Sequence, residues 1–229
     1  MKFRVEKQNP VIYNELGKLR IMGIVMKKGL NMSSRKKIGA LLITGMMILS
    51  ACGSLGKDTE ETRISLNKDG SIKSYITESF DKDYYLQEEL QQMILSEAAS
   101  YNRGTGQGSI TVERVEVSEQ VATVEMTYAA AEDYSAFNDV LFFMGSPMEA
   151  QAAGYDLNVV LSNVKDANDT IGEADILAME GVTLLITDVP EQVEFFGKAV
   201  YADDHATLSE NQKALLSAEG RDVAYILFK

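Results

Sequence analysis

Residues 203–209, Asp-Asp-His-Ala-Thr-Leu-Ser, place the only histidine of this 229-residue chain next to two carboxylates and a serine. A serine hydrolase needs a hydroxyl nucleophile, an imidazole base and a carboxylate that orients the base, which are the side chains of Ser209, His205 and Asp203. The members of such triads normally come from distant segments, because the fold and not sequence proximity brings them together. We therefore interpret His205 as a loop residue and predict no catalytic residue in this stretch.

Metal sites require other sets of ligands. A zinc site takes several His or Cys ligands, and this chain contains one of each, Cys52 and His205. Residues 166–175, Asp-Ala-Asn-Asp-Thr-Ile-Gly-Glu-Ala-Asp, superficially resemble a calcium loop. However, Thr170 takes the fifth position, which belongs to Asp or Asn, and Gly172 takes the seventh position instead of the sixth. We predict a polar loop with a helix cap here, and we expect no metal and no other cofactor.

Carboxylates are abundant, with 34 Asp and Glu residues in the chain. A polysaccharide hydrolase with paired carboxylates is therefore an alternative, although the sequence does not select the pair. The chain contains no tryptophan, which disfavours a sugar-binding face built on flat aromatic rings, but tyrosines can substitute. The glycine-rich residues 102–109 follow a predicted helix and precede a predicted strand, the reverse of the order in phosphate-binding loops.

The single cysteine, Cys52, follows a short and mostly apolar segment. Residues 35–37 are basic, residues 38–49 are mostly apolar, and the small residues Ser-Ala occupy 50–51. This is the order of a secretory signal peptide. A helix of this length reaches about 18 Å, whereas the hydrocarbon core of a bilayer is about 30 Å thick. The segment is thus predicted to direct export and not to span the membrane.

Residues 49–53, Leu-Ser-Ala-Cys-Gly, resemble the lipobox of bacterial lipoproteins. In that family a diacylglycerol is attached to the cysteine thiol, and a lipoprotein signal peptidase cuts just before the cysteine. The resemblance implies lipid attachment at Cys52, with acyl chains such as palmitate, and anchoring on the outer face of the cell membrane. Other interpretations of Cys52 are a small buried side chain, a free thiol, or a thiol nucleophile that would need His205 as its base.

These patterns divide the chain into three regions. Residues 1–51 are predicted to be a signal peptide region, within which translation is expected to start at Met26 or Met32. Residues 52–62 are small and polar, as in a flexible tether. Residues 63–229 are enough for one extracytoplasmic domain with a single core.

Charge separates the exported part from the leader. The residues up to Ala51 include 10 Lys and Arg against 2 acidic residues, whereas the residues from Cys52 onward include 12 against 32, a net charge of −20. Phosphate contacts require a basic surface, so nucleic acid is excluded as a partner. The acidic excess is consistent with a well-solvated exterior and with attraction of cations.

Hydrophobic periodicity predicts the first elements of the domain. Ile64 and Leu66 precede an Asn-Lys-Asp-Gly turn at 67–70 that predicts a short hairpin. One helix is predicted from Tyr84 to about Tyr101, with Asp83 as N-cap and Gly104 as stop. Its apolar face comprises Leu86, Leu90, Met93, Ile94, Ala98 and Tyr101.

Residues 109–128 predict two strands joined at Ser118 to Gln120, with a bulge near Arg114 that brings the valines on both sides of it onto one face. A second helix is predicted from Glu132 to Met144, burying Tyr134, Phe137, Leu141 and Met144. Further strands are predicted at 156–162, 182–188, 192–196, 198–202 and 222–228, and short helical turns at 173–178 and 209–217. The predicted fold is α+β, a mostly antiparallel sheet with two main helices packed on one face.

Three stretches carry a second resemblance: the lipobox, residues 131–140 (Ala-Glu-Asp-Tyr-Ser-Ala-Phe-Asn-Asp-Val) and residues 224–229 (Ala-Tyr-Ile-Leu-Phe-Lys). The chain is similar to small lipoproteins of gut clostridia and their relatives, which are Gram-positive bacteria. This resemblance implies a location but no activity. The expected function is a non-enzymatic module that binds an envelope protein or glycan. A small cell-wall hydrolase and a solute-binding lipoprotein are the alternatives, and the short chain disfavours the last.

Overall fold

The computed structural model describes residues 61–81, 85–105, 108–218 and 223–229. Within these ranges the chain forms four helices and 13 strands, arranged as two mostly antiparallel sheets. The fold is mixed α+β and mostly sheet. Cys52, the predicted signal peptide and nearly all of the predicted tether lie outside the described residues.

Helices and strands are numbered in chain order. The helices are α1 (Gln87–Thr105), α2 (Ala131–Asn138), α3 (Pro147–Ala152) and α4 (Glu173–Ala178). The strands are β1 (Arg63–Leu66), β2 (Ile72–Ser79), β3 (Ile110–Ser118), β4 (Val121–Tyr128), β5 (Phe142–Gly145), β6 (Leu161–Asn163), β7 (Asp166–Ile171), β8 (Thr183–Thr187), β9 (Gln192–Glu194), β10 (Ala199–Ala202), β11 (Ala206–Leu208), β12 (Ala214–Ala218) and β13 (Ala224–Phe228).

The larger sheet has seven strands in the order β11-β12-β9-β1-β2-β4-β3. Its neighbours pair antiparallel except for β1 and β9, which are parallel. The smaller sheet has six strands in the order β5-β8-β13-β10-β6-β7, and all of its pairs are antiparallel. The sequence predicted one sheet, whereas the structure divides the strands between two.

The predicted β1–β2 hairpin is confirmed. Gly70 has φ +92°, which closes the turn without the steric cost that a side chain would bring. The Gly70 amide donates to the Asn67 carbonyl at 3.0 Å, and the Ser71 amide and hydroxyl both donate to Asp69 Oδ1 at 3.0 and 2.7 Å. These local bonds explain why a polar Asn-Lys-Asp-Gly segment reverses the chain here.

The β3–β4 pair and its bulge are also confirmed. The register shifts between Val112 and Arg114, so that Val112 and Val115 both face core-lining residues of β4. The residues predicted to share one face of β4 (Ala122, Val124, Met126 and Tyr128) are all buried. Glu119 and Gln120 form the two-residue turn with φ of 53° and 63°, where strand twist favours positive φ.

Helix α1 is present, but its predicted bounds need correction. It begins at Gln87 and ends at Thr105, so Gly104 lies inside the helix and does not stop it. Leu90, Ile94 and Ala98 are buried as predicted, whereas Leu86 precedes the helix and is 52% exposed. The predicted N-cap, Asp83, lies outside the described residues.

The second predicted helix is wrong in its second half. Helix α2 ends at Asn138 because Asp139 adopts the left-handed conformation, φ 54°. The chain then enters β5, in which Phe142 and Phe143 are buried in two different clusters. This alternation has the period of a strand, so Leu141 and Met144 do not belong to a helical face.

Of the remaining predictions, some are confirmed and others are wrong. Strands are found within or overlapping all five predicted segments, and the helical turn at 173–178 is confirmed as α4. The helical turn predicted at 209–217 is wrong, since a turn there leads into β12. Residues 166–171 are the edge strand β7 and not a loop.

Buried side chains form two hydrophobic clusters, one on each face of the smaller sheet. Along β13, Ile226 and Phe228 belong to the first cluster, whereas Leu227 belongs to the second. The first cluster also contains buried residues of the larger sheet, α1 and α2. The second contains Ala150 of α3 and Ile176 of α4. The smaller sheet is thus buried on both sides, which explains the nearly continuous apolar sequence of its central strands.

Candidate functional site

The four chemically suggestive residues of segment 203–209 do not form a triad. The Ser209 hydroxyl donates to Asn211 Oδ1 at 2.8 Å and accepts from the amides of Lys213 and Ala214, so it closes a turn. The imidazole of His205 lies 3.6 Å from Asp204 Oδ1, and Asp204 is almost fully exposed. Ser209 is therefore a structural residue. His205 lies in the turn between β10 and β11, in agreement with its interpretation as a loop residue, whereas Ala206–Leu208 form a strand.

Asp203 differs from its neighbours because it is partly buried against β13. Its Oδ2 accepts from the Tyr225 amide at 3.0 Å, and its own amide donates to the Tyr225 carbonyl at 3.1 Å. Its Oδ1 is buried and has no hydrogen-bond partner in the described part of the chain. Burial raises the pKa of Asp203 to about 6, against the lowering effects of the Tyr225 amide and of His205.

Three partly exposed tyrosines lie on the side of the smaller sheet that faces the second cluster, and one of them, Tyr225, is hydrogen-bonded to Asp203 through its backbone amide. Tyr201 on β10, Tyr225 on β13 and Tyr155 after α3 all pack against the second hydrophobic cluster. Tyr201 pairs with Leu227, and Tyr225 lies two residues before Leu227 on the same face of β13. We call Tyr155, Tyr201 and Tyr225, with the adjoining Asn163, Asp169 and Asp203, the tyrosine surface.

The phenol of Tyr201 is held in a polar network. Its hydroxyl donates to Asp169 Oδ2 at 2.9 Å, and the side-chain amide of Asn163 donates to the same oxygen at 2.8 Å. The hydrogen bond to Asp169 raises the pKa of Tyr201 above its ordinary value, at which a phenol is already neutral at physiological pH. Strands β6, β7 and β10 are neighbours in the sheet, and their pairing places these three side chains together.

Tyr225 and Tyr155 form the other part of the tyrosine surface. Burial raises the pKa of Tyr225, and the negative charges of Asp156 and Asp203 raise it further. Burial likewise raises the pKa of Tyr155, whose ring lies 4.9 Å from that of Phe143. Both rings therefore pack against the apolar core, and both residues are partly exposed.

The chain segment that runs through α3, β6, β7 and α4 is strongly acidic. Residues 147–181 carry seven acidic side chains and one basic side chain, Lys165; the acidic ones are Glu149, Asp156, Asp166, Asp169, Glu173, Asp175 and Glu180. Such an imbalance gives the surface a negative potential.

Another aromatic side chain, Tyr75, lies on β2 in the larger sheet, but its surroundings differ. The Arg63 guanidinium carbon lies 4.0 Å from the ring centroid and the Lys73 ammonium 4.8 Å from it. Lys73 also pairs with Glu125 at 3.2 Å. Because cations already contact the ring of Tyr75, it is a poorer stacking partner than the three rings of the tyrosine surface.

The described residues contain neither a candidate metal site nor a helix that could cross a membrane. No group of three or more His, Cys, Asp or Glu side chains in those segments is arranged to hold a metal ion. None of the helices in the same segments has the length and apolar character required to cross a membrane.

Comparison with known proteins gives no assignment. No family model matches the chain, no curated protein matches it, and no solved structure matches it.

Sequence reasoning missed the tyrosine surface. It considered Asp203 only as a possible triad member, assigned Asp169 to a polar loop at 166–175, and gave Asn163 no role. The strand predicted at 198–202 contains one indication of this surface. Tyr201, an aromatic residue with a polar hydroxyl, stands there between apolar residues. The pairing of β10 with β6 and β13, which no local pattern contains, was needed to collect these residues.

Proposed function

We propose that this protein is a lipid-anchored module on the outer face of the cell membrane that binds an envelope glycan through the tyrosine surface. The lipobox-like residues around Cys52 support the anchor. The observation that carries the binding proposal is the network of Tyr201, Asp169 and Asn163, next to Tyr225 and Tyr155. It combines flat apolar rings with fixed polar groups, the combination that sugar rings require.

The polar groups suit sugar hydroxyls in particular. A carboxylate accepts hydrogen bonds, a side-chain amide both donates and accepts, and a phenol does both, so vicinal hydroxyls find donors and acceptors at this surface. Asp169 and Asn163 are fixed at hydrogen-bond distance from each other, which lowers the entropy cost of ordering them around a ligand. A binding or assembly role needs no cofactor.

The tyrosine surface lies on the side of the smaller sheet that α3 and α4 also contact, whereas α1 and α2 contribute to the other cluster. We infer that α1 and α2 cover one face of the larger sheet, since Leu90 and Tyr134 share a buried core with Val124 of β4. The Tyr101 hydroxyl of α1 also donates to Asp133 of α2 at 3.1 Å. The tyrosine surface belongs to the second cluster, on the opposite side of the smaller sheet.

Co-sedimentation of the full chain with insoluble cell-wall polysaccharide tests the binding proposal. Tyr201→Ala and Tyr225→Ala should each weaken retention about threefold to tenfold, because an aromatic contact contributes roughly 0.5 to 1.5 kcal/mol. Tyr75→Ala is the matched control and should be retained like wild type. Equal retention of all four proteins, or loss in the Tyr75 variant alone, would refute the assignment of the surface.

A small polysaccharide hydrolase is a second candidate, and one observation favours it. Asp203, with its pKa raised to about 6, adjoins the tyrosine surface and could protonate a glycosidic oxygen. Release of reducing ends from the same polysaccharide separates the two functions. If wild type releases them and Asp203→Asn binds without releasing them, the hydrolase replaces the binding module. If no release occurs, the binding module stands.

A further inference from the structure

The charge around the tyrosine surface indicates which glycans would fit it. Asp169 is in direct contact with the Tyr201 hydroxyl, and Asp175 raises the pKa of Tyr201 through its charge. Asp156 and Asp203 act in the same way on Tyr225. Each ring therefore has two carboxylates that act on it, of which Asp169 is in direct contact with the Tyr201 hydroxyl.

Basic residues are fewer than acidic ones in the segments that form the tyrosine surface, where Lys198 directly precedes β10 and Lys229 directly follows β13. Lys165 is the only basic residue in segment 147–181. Among the described residues, the guanidinium and ammonium groups of Arg63, Lys73 and Arg114 are instead paired with carboxylates on the larger sheet. An anionic ligand at the tyrosine surface would meet repulsion, whereas a cationic ligand would meet complementary charge.

We propose that the tyrosine surface binds a glycan with free amino groups, that is, a polymer containing deacetylated amino sugars. An ammonium group on a sugar would find carboxylates within reach and the electron-rich faces of Tyr201 and Tyr225 beside it. The sugar rings would stack on the tyrosines as a neutral glycan does. This inference rests on the proposed glycan binding and adds the chemical class of the ligand.

The charge complementarity sets the expected salt dependence. Asp156, Asp169 and Asp175 are exposed, so their attraction for an ammonium group is screened over about 10 Å at moderate ionic strength. Stacking and hydrogen bonds to hydroxyls are much less sensitive to salt. Raising the salt concentration should therefore weaken binding of the amino glycan while leaving a fully acetylated glycan almost unaffected.

Titration calorimetry on the full chain in detergent tests the inference, with glucosamine and N-acetylglucosamine oligosaccharides of equal length as probes. At low salt the glucosamine oligosaccharide should bind at least about tenfold more tightly. Asp169→Asn and Asp156→Asn should each reduce this preference. Glu88→Gln, in the first turn of α1, changes the net charge equally and should preserve it. Circular dichroism verifies that each variant is folded.

The other outcomes would overturn the inference in distinguishable ways. Equal affinity for the two oligosaccharides would refute the amino-sugar preference and leave glycan binding intact. Absence of binding to both would refute glycan binding as well. A preference that falls equally in Glu88→Gln would show non-specific attraction to an acidic chain. Binding of oligolysine as tightly as the amino glycan would show that the surface recognises positive charge and not sugar.

Discussion

At the scale of single residues, Asp203 is the side chain whose environment most affects its chemistry. A carboxylate that is partly buried loses hydration, and one hydrogen bond from the Tyr225 amide does not replace all of it. The pKa of Asp203 is therefore raised from 3.8 to about 6. The folded state binds this proton more tightly than the unfolded state does, so the contribution of Asp203 to stability falls as the pH rises from about 4 to 6.

Replacing Asp203 should remove this pH dependence. The pKa difference corresponds to roughly 3 kcal/mol, which partial exposure screens to roughly 1 to 2 kcal/mol. Asp203→Asn should thus gain roughly 1 kcal/mol over wild type at pH 8 and lose that advantage at pH 4, as measured by urea unfolding at both values. The exposed Asp204→Asn is the control and should track wild type. An Asp203→Asn difference that is the same at both pH values would show that the carboxyl titrates normally.

Cys52 carries the prediction about location. Cys52→Ala should yield a precursor that is neither lipidated nor cut by the lipoprotein signal peptidase, because both reactions need the thiol-bearing residue. Two or three acyl chains at about 0.8 kcal/mol per buried CH₂ anchor a protein stably, so wild type should resist a high-salt wash and be released by mild detergent. Normal membrane attachment and normal size of the alanine variant in membrane fractions would contradict the lipoprotein proposal.

At the scale of elements, the sequence correctly predicted the turns and strands that are determined by interactions between residues close together in the chain. The β1–β2 hairpin follows from Asn67 to Gly70 and their own hydrogen bonds, and the β3 bulge follows from the changed phase of its valines. The helix predicted to reach Met144 failed because its second half lies between two cores. Phe142 and Phe143 pack into different clusters on opposite faces of the smaller sheet. Extending the helical spacing from Tyr134 cannot detect this alternation.

Helix α1 provides a quantitative test of the first core. Leu90 is buried in the cluster that contains Val124 and Met126, and Gln92 on the same helix is exposed. Leu90→Ala should cost about 2 to 5 kcal/mol of unfolding free energy, since it removes buried volume and leaves a cavity. Gln92→Ala should change stability by less than about 0.5 kcal/mol. Chemical denaturation of the three proteins gives the comparison, and equal midpoints for wild type and Leu90→Ala would show that this face is not packed.

At the scale of the whole molecule, the excess of acidic residues can be counted from the sequence, but the sequence does not show which surface carries them. The net charge of −20 from Cys52 onward was visible, yet the two-sheet arrangement decides which surface carries it. Likewise, β6 and β7 form a local hairpin that brings Asn163 to Asp169, but only long-range pairing of β10 with β6 and β13 adds Tyr201 and Tyr225. Such pairing depends on the shared core and not on local propensity, so a candidate site of this kind follows from the fold alone.

The central claim is that the tyrosine surface contacts the glycan. Fluorine NMR of the full chain, with its 10 tyrosines replaced by fluorotyrosine and assigned by single Tyr→Phe variants, tests it most directly. On addition of soluble cell-wall glycan fragments, the signals of Tyr155, Tyr201 and Tyr225 should shift while that of Tyr75 stays in place. A shift of the Tyr75 signal with those three unchanged, or no shift at all, would contradict the account.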